Sequence, residues 1–113
     1  MRILLADDNP KIRSALRLLV EELGHSACEA VDTVDLLKQL NSGDADMLLL
    51  DWELPGLSPD THMPEIRRLC PSCVVVAMSS RPEARAESGR LGAEAFLGRH
   101  EPPDVLLQLL ASS

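Results

Sequence analysis

Aromatic side chains are almost missing. Trp52 and Phe96 are the whole supply, 2% of 113 residues, so the core must be built from Leu, Val, Ile and Ala. Basic charge is also short. Eleven Lys and Arg stand against 18 Asp and Glu, a formal charge of −7. That argues against a nucleic-acid surface, which needs clustered Lys and Arg. No apolar run approaches the roughly 18 residues of a membrane span, so no membrane contact is expected. Met1 to Leu5 reaches two aspartates too soon for a secretory signal, and a cytoplasmic location is expected. Three cysteines fit reduced thiols better than a disulfide framework.

What is present is ordinary for a folded protein. The chain is 45% hydrophobic, and its length suits a single domain, 1–113, with one modest core. The prolines and glycines lie mostly between apolar segments. The stretch Met47 to Gly56, MLLLDWELPG, is the organising one. Met47 to Leu50 is a short continuous apolar run, as in a strand buried on both faces, although so short a run also fits a helix. Asp51 then places a carboxylate where the chain leaves the core, and Pro55-Gly56 breaks regular structure beyond it.

Taken in order, Arg2–Ala6 reads as a first buried strand. Asn9-Pro10 supplies an N-cap and first helical residue. Ile12, Ala15, Leu16, Leu19 and Leu23 follow at helical spacing, and Gly24 stands where a glycine ends a helix. His25–Ala30 predicts a second, less apolar strand, suited to an edge. Asp32 or Thr33 caps a helix carrying Val34, Leu37 and Leu40. Met47–Leu50 is the third strand. Pro59 and Pro64 predict a short or irregular helix ending near Leu69, with Pro64 suited to a first turn rather than an interior. Val74–Met78 is the fourth strand, Pro82 opens a short helix, and Gly92 lies past its end. Glu94–Gly98 is the fifth strand, and Pro102-Pro103 opens a last helix with Val105, Leu106, Leu109 and Leu110. Leu107 and Leu110 are expected to leave an apolar strip.

Five alternations of strand and helix predict parallel βαβ units. Asp7, Asp8, Asp51, Ser79 and Arg99 then fall at or just after strand ends, on one edge of the sheet, where open α/β sheets bind ligands. Each has a plain structural explanation on its own: a helix cap, a turn residue, a solvated base. Together they suggest chemistry. Three converging carboxylates raise one another's pKa and call for a counter-charge. A hard cation with oxygen ligands, Mg²⁺, answers that. Asp51 could then attack phosphorus to form an aspartyl phosphate, with Ser79 and Arg99 meeting the charge on the transferred group.

The segments ILLADDNP (3–10), LLLDWELPG (48–56), VVVAMSS (74–80) and GAEAFLGR (92–99) resemble those of receiver domains of bacterial two-component response regulators, over essentially the whole chain. The resemblance implies a flavodoxin-like sheet of order 2-1-3-4-5. It implies Asp51 as phosphoacceptor and Asp7 and Asp8 as the acidic pair holding Mg²⁺, with the backbone carbonyl of Glu53 as a further ligand. Ser79 matches the switch hydroxyl and Phe96 the aromatic whose rotamer follows it. The chain departs from the pattern where Arg99-His100 replaces the usual Lys, often followed by Pro, and where Ser58-Pro59 stands in place of an acid and a Gly; the usual small residue after the switch hydroxyl is Ser80. Without a following proline, the Arg99–His100 peptide is expected to be trans.

The implied function is a phosphoacceptor signalling domain rather than an enzyme. Its partners would be a histidine kinase or phosphotransfer protein and an unknown downstream protein. The alternative is a receiver-like interaction module that no longer switches. Cys70-Pro-Ser-Cys73 is a C-x-x-C, set between elements away from the acidic edge, and His25 and His62 read as surface residues.

Overall fold

Met47–Leu50 is buried whichever way its side chains point, and that explains its place at the centre of the sheet. The computed structural model describes residues 1–99 and 104–111. Strands β1 (Arg2–Ala6), β2 (Ser26–Ala30), β3 (Met47–Asp51), β4 (Val74–Ser79) and β5 (Ala95–Gly98) alternate with helices α1 (Pro10–Glu22), α2 (Thr33–Ser42), α3 (Pro59–Leu69), α4 (Ala84–Arg90) and α5 (Asp104–Ala111). The strands form one parallel sheet in the order β2-β1-β3-β4-β5, the flavodoxin-like arrangement the resemblance implies. Ile3 stands opposite Met47, Asp51 opposite Met78 and Ser79 opposite Gly98.

Alternation along the strands divides the core in two. Leu4, Ala6, Leu48, Leu50, Val75 and Ala77 pack with Leu36 and Leu40 of α2, Met63 and Ile66 of α3 and Ala84 of α4. Ile3, Leu5, Met47, Leu49, Val76 and Met78 face the other way, against Val20 of α1 and Leu106 and Leu110 of α5. Both faces of β3 are thus filled by aliphatic side chains, as an aromatic-poor sequence requires.

The caps follow their chemistry. The Asn9 side chain accepts the Lys11 and Ile12 N–H groups at 2.9 and 3.3 Å, and Asp32 accepts the Asp35 N–H at 2.8 Å. After β3, Leu57 N–H bonds Leu54 C=O at 2.9 Å, with Pro55 and Gly56 between. Gly56 has φ +83°, so this is the type II arrangement of proline followed by glycine. Thr33 ties the turn to α2 through its N–H and hydroxyl, both donated to Pro55 C=O.

Several boundaries differ from the sequence expectation. Asp51 and Ser79 are the last residues of their strands rather than the first beyond them, and β2 starts at Ser26 and β5 at Ala95. Helix α3 is regular over 11 residues, with Pro64 at its sixth position. Pro64 is exposed, and Met63 and Ile66 bury the opposite side, so packing outweighs the missing backbone bond. Helix α4 begins at Ala84, two residues after Pro82, following a turn in which Ala84 and Arg85 N–H groups bond Arg81 and Pro82 carbonyls. His25 is half-buried rather than on the open surface. Its Nδ1 lies 2.8 Å from the Met1 amine and its Nε2 3.2 Å from Leu110 C=O. Leu110 is buried and Leu107 half-buried, so the expected apolar strip is largely covered. Among the described residues, the exposed large apolar side chains are Leu18, Leu23, Val31 and Val34 instead. Pro102-Pro103 and the Arg99–His100 peptide lie outside the described residues.

Candidate functional site

Asp7 follows β1 directly, and its N–H continues the ladder to Ala30 C=O at 3.1 Å. Its carboxylate is 0% exposed. Oδ1 accepts the Asn9 N–H at 2.9 Å, so the residue that caps α1 also aims Asp7. Arg13 of α1 donates to the Asp7 carbonyl at 2.8 Å. Asp8, one residue on, is exposed. Asp51 closes β3 at 2% exposure, and its Oδ1 accepts the Glu53 N–H at 2.9 Å. Carboxylate oxygens of Asp7, Asp8 and Asp51 lie within 4.8 Å of one another. An all-oxygen set of that size, with two members buried, fits a hard divalent cation.

Arg99 enters from the end of β5, where its N–H bonds Ser79 C=O at 3.1 Å. Its Nη2 donates to Asp7 Oδ2 at 3.0 Å and pairs with Asp51 Oδ1 at 2.8 Å. One guanidinium nitrogen therefore bridges the carboxylates of two strands. Burial pushes the Asp51 carboxyl above its ordinary range, and the charge on Asp7 adds to this, although the Glu53 amide and Arg99 pull the other way. Burial also works against the charged form of Arg99, but the hydrogen bonds and charges of Asp51 and Asp7 outweigh it and hold the guanidinium more firmly protonated.

Ser79 is 1% exposed. Its hydroxyl lies 2.9 and 3.0 Å from the two oxygens of Glu53, to which it donates, and it accepts the Arg81 N–H at 3.0 Å. Arg81 Nε also lies 3.5 Å from Glu53. Phe96 is half-buried on β5, and the Arg85 guanidinium of α4 stands 4.7 Å from its ring centre. Trp52 is buried, and its indole N–H donates to Glu87 of α4 at 2.9 Å.

The strand-end residues expected from the sequence thus gather on one edge: Asp7, Asp8, Asp51, Ser79 and Arg99. Glu53 adjoins them through its amide and through its side chain. The carboxylate of Glu53, Arg81, Arg85 and Glu87 were not foreseen. The signal available for Glu53 and Arg81 was positional, since each follows a strand-end residue by two on neighbouring strands. Cys70 and Cys73 lie before β4, at the opposite edge. Both are free thiols, and burial together with the neighbouring Cys70 raises the pKa of Cys73, which suits a structural, unreactive thiol.

The sequence model of the response regulator receiver domain matches residues 3–111. The chain is similar to the phosphate regulon transcriptional regulatory protein PhoB of Escherichia coli, with 30% identity over 110 residues, covering 94% of this chain and 48% of PhoB. It is also similar to the sensory/regulatory protein RpfC of Xanthomonas campestris, with 29% identity over 117 residues, covering 98% of this chain and 16% of RpfC. The chain therefore spans less than half the length of these curated relatives. Among solved structures it superposes on the response regulator TrrA of Thermotoga maritima in complex with Mg²⁺ and BeF, with TM-score 0.85 and 27% identity, covering 98% of this chain and 96% of TrrA. No described helix is long and apolar enough to cross a membrane.

Proposed function

This chain belongs to the response regulator receiver domain family, the signalling domains of two-component systems, and from that premise we propose that Asp51 is its phosphoacceptor, working with Mg²⁺ held by Asp7, Asp8 and Asp51 and the backbone carbonyl of Glu53. The observation that carries the reading is the convergence of Asp7, Asp8 and Asp51 within 4.8 Å at the carboxyl edge of a parallel sheet. In outline, an Asp51 oxygen attacks phosphorus of a phosphohistidine, the P–N bond breaks and imidazole leaves. Mg²⁺, when bound, supplies positive charge to the phosphoryl oxygens. Arg99 stands beside Asp51 and can neutralise a further oxygen, and Ser79 can turn its hydroxyl to the same group. Burial raises the Asp51 carboxyl above its ordinary range, and Arg99 works against that rise and so favours the ionised nucleophile.

The domain, 1–113, would act by signalling rather than by turnover of a substrate of its own. It would take its phosphoryl group in the cytoplasm from a histidine kinase or phosphotransfer protein and change contact with a downstream protein. A second reading, an interaction module that does not switch, is favoured by the Ser79 hydroxyl being already engaged by Glu53. Incubation with acetyl phosphate and Mg²⁺ followed by intact-mass measurement tests the first reading. One phosphate adduct, absent from Asp51→Ala, is expected. An unmodified wild-type chain overturns it.

A further inference from the structure

Asp8 is the exposed member of the acidic trio, and its side chain makes no hydrogen bond or ion pair among the described residues. Its carboxylate nonetheless stands within 4.8 Å of those of Asp7 and Asp51. The backbone must therefore aim it. Peptide units are planar, so a bond to one group of a unit orients the whole of it. The unit after Asp8 is held by its Asn9 N–H, which donates to Asp7 Oδ1 at 2.9 Å. The unit before Asp8 is held by its Asp7 C=O, which accepts Arg13 Nη1 at 2.8 Å. Both sides of Asp8 are thus tied, the second by a side chain from α1.

Arg13 is itself held. Its Nε donates to Glu29 Oε1 at 2.8 Å, and Arg17 Nε donates to Glu29 Oε2 at 2.8 Å. Glu29 stands opposite Leu5 in the ladder of β1 and β2, so it points to the face that α1 covers. The Arg13 side chain is 16% exposed, and its contacts are less screened than those of an open surface pair. The geometry points to Arg13 as a positioning residue of the acidic site: it fixes the Asp7–Asp8 peptide, and with it the direction of the Asp8 carboxylate, while Glu29 fixes Arg13. This rests on the reading of Asp7, Asp8 and Asp51 as a cation site. Arginine suits the task because its fork spans two acceptors, a carboxylate on β2 and a carbonyl just past β1. The polar character of β2 has its use here. An aliphatic residue in place of Glu29 would leave Arg13 without its anchor.

The test is titration with MgCl₂ alone, with no phosphodonor, read by Trp52 emission and by calorimetry. It compares wild type with Arg13→Ala, Arg13→Lys, Glu29→Gln and Arg17→Ala. Arg13→Ala is expected to bind Mg²⁺ roughly tenfold more weakly than wild type, the usual loss when a group orienting a metal ligand is removed. Arg13→Lys keeps one donor for the Asp7 carbonyl, and Glu29→Gln keeps an acceptor for Arg13, so both should fall between. Arg17→Ala breaks the other bond to Glu29 without touching the Asp7–Asp8 segment. Its Mg²⁺ affinity should match wild type, whatever its melting temperature. Without Mg²⁺, the Asp8 and Asn9 amide signals should move in Arg13→Ala and stay in place in Arg17→Ala. Unchanged Mg²⁺ affinity in Arg13→Ala, or equal losses in Arg13→Ala and Arg17→Ala, overturns the role of Arg13 and leaves the cation site standing. A wild type that binds no Mg²⁺ overturns the cation site and this role together. Should Arg13→Ala fail to fold, Glu29→Gln decides. Weaker Mg²⁺ binding with a shifted Asp8 signal is expected, and wild-type behaviour in both refutes the role. Phosphorylation at Asp51 is scored separately by mass, so its failure is not confused with either result.

Discussion

Glu53 lies over Ser79: both of its carboxylate oxygens are within 3.0 Å of the Ser79 hydroxyl. That hydroxyl has one proton to give, and in this state the proton goes to an anion from the chain itself. A phosphoryl group on Asp51 must win it away. A hydrogen bond to a charged group is worth about 1.5–3 kcal/mol net, and the partial exposure of Glu53 places this one at the low end. Glu53→Ala keeps the backbone amide and carbonyl. Its half-saturating beryllofluoride concentration, followed by amide shifts around Phe96, should fall roughly tenfold. An unchanged concentration would show that Glu53 does not restrain Ser79.

Asp51 gives a prediction about acid. Its carboxyl is raised above the ordinary range, chiefly by burial. Between the unfolded value and the raised folded value, the folded chain binds a proton that the unfolded chain does not. Lowering the pH through that interval adds stability from this group, and raising it takes that stability away. Asp51→Asn should remove this component from a plot of denaturation midpoint against pH. It should also stabilise the metal-free protein near neutrality by about 1 kcal/mol, since a buried charge goes while Arg99 keeps Asp7. A less stable Asp51→Asn would mean that Arg99 more than offsets the burial.

Trp52 reaches α4 through a single bond, from its indole N–H to Glu87. Glu87→Ala leaves that buried donor unsatisfied and should cost about 1–3 kcal/mol in urea denaturation, with a change in Trp52 emission. Glu87→Gln, which keeps an acceptor, should lose less than half of that. Equal losses would assign the effect to packing on α4.

Pro64 sits inside α3 yet faces solvent. Replacing it by alanine restores a helix N–H and removes the ring from the backbone, at the cost of a freer unfolded chain. The helix effect is the larger, so Pro64→Ala should stabilise the fold by about 1–2 kcal/mol. Thermal denaturation of the variant without ligand is sufficient to check it.

These residues also mark how far a linear reading reaches. The strand runs, the Asn9 and Asp32 caps and the turn at Pro55-Gly56 were legible because each depends on neighbours in the chain. The gathering of Asp7, Asp51, Ser79 and Arg99 was legible because parallel strands carry their carboxyl ends to one edge. The regularity of α3 was not, since the rule against interior proline is local and the burial of Met63 and Ile66 that overrides it is not. The bonds of Glu53 to Ser79 and Trp52 to Glu87 were hidden for a different reason. They depend on which rotamer a side chain takes across a gap between elements, and no spacing encodes that.

The central position of β3 also sorts the backbone amides by time. Leu48, Leu49 and Leu50 are paired on both sides and covered on both faces, so their amides should exchange with deuterium only when the whole chain opens. Strand β5 has four residues and one neighbour, and should exchange through smaller, more frequent openings. Asp51 therefore belongs to the slowest part of the molecule, and Arg99, which leaves β5, to one of its faster parts. The acid and its cation are held together in space but tied to regions that come apart on different clocks.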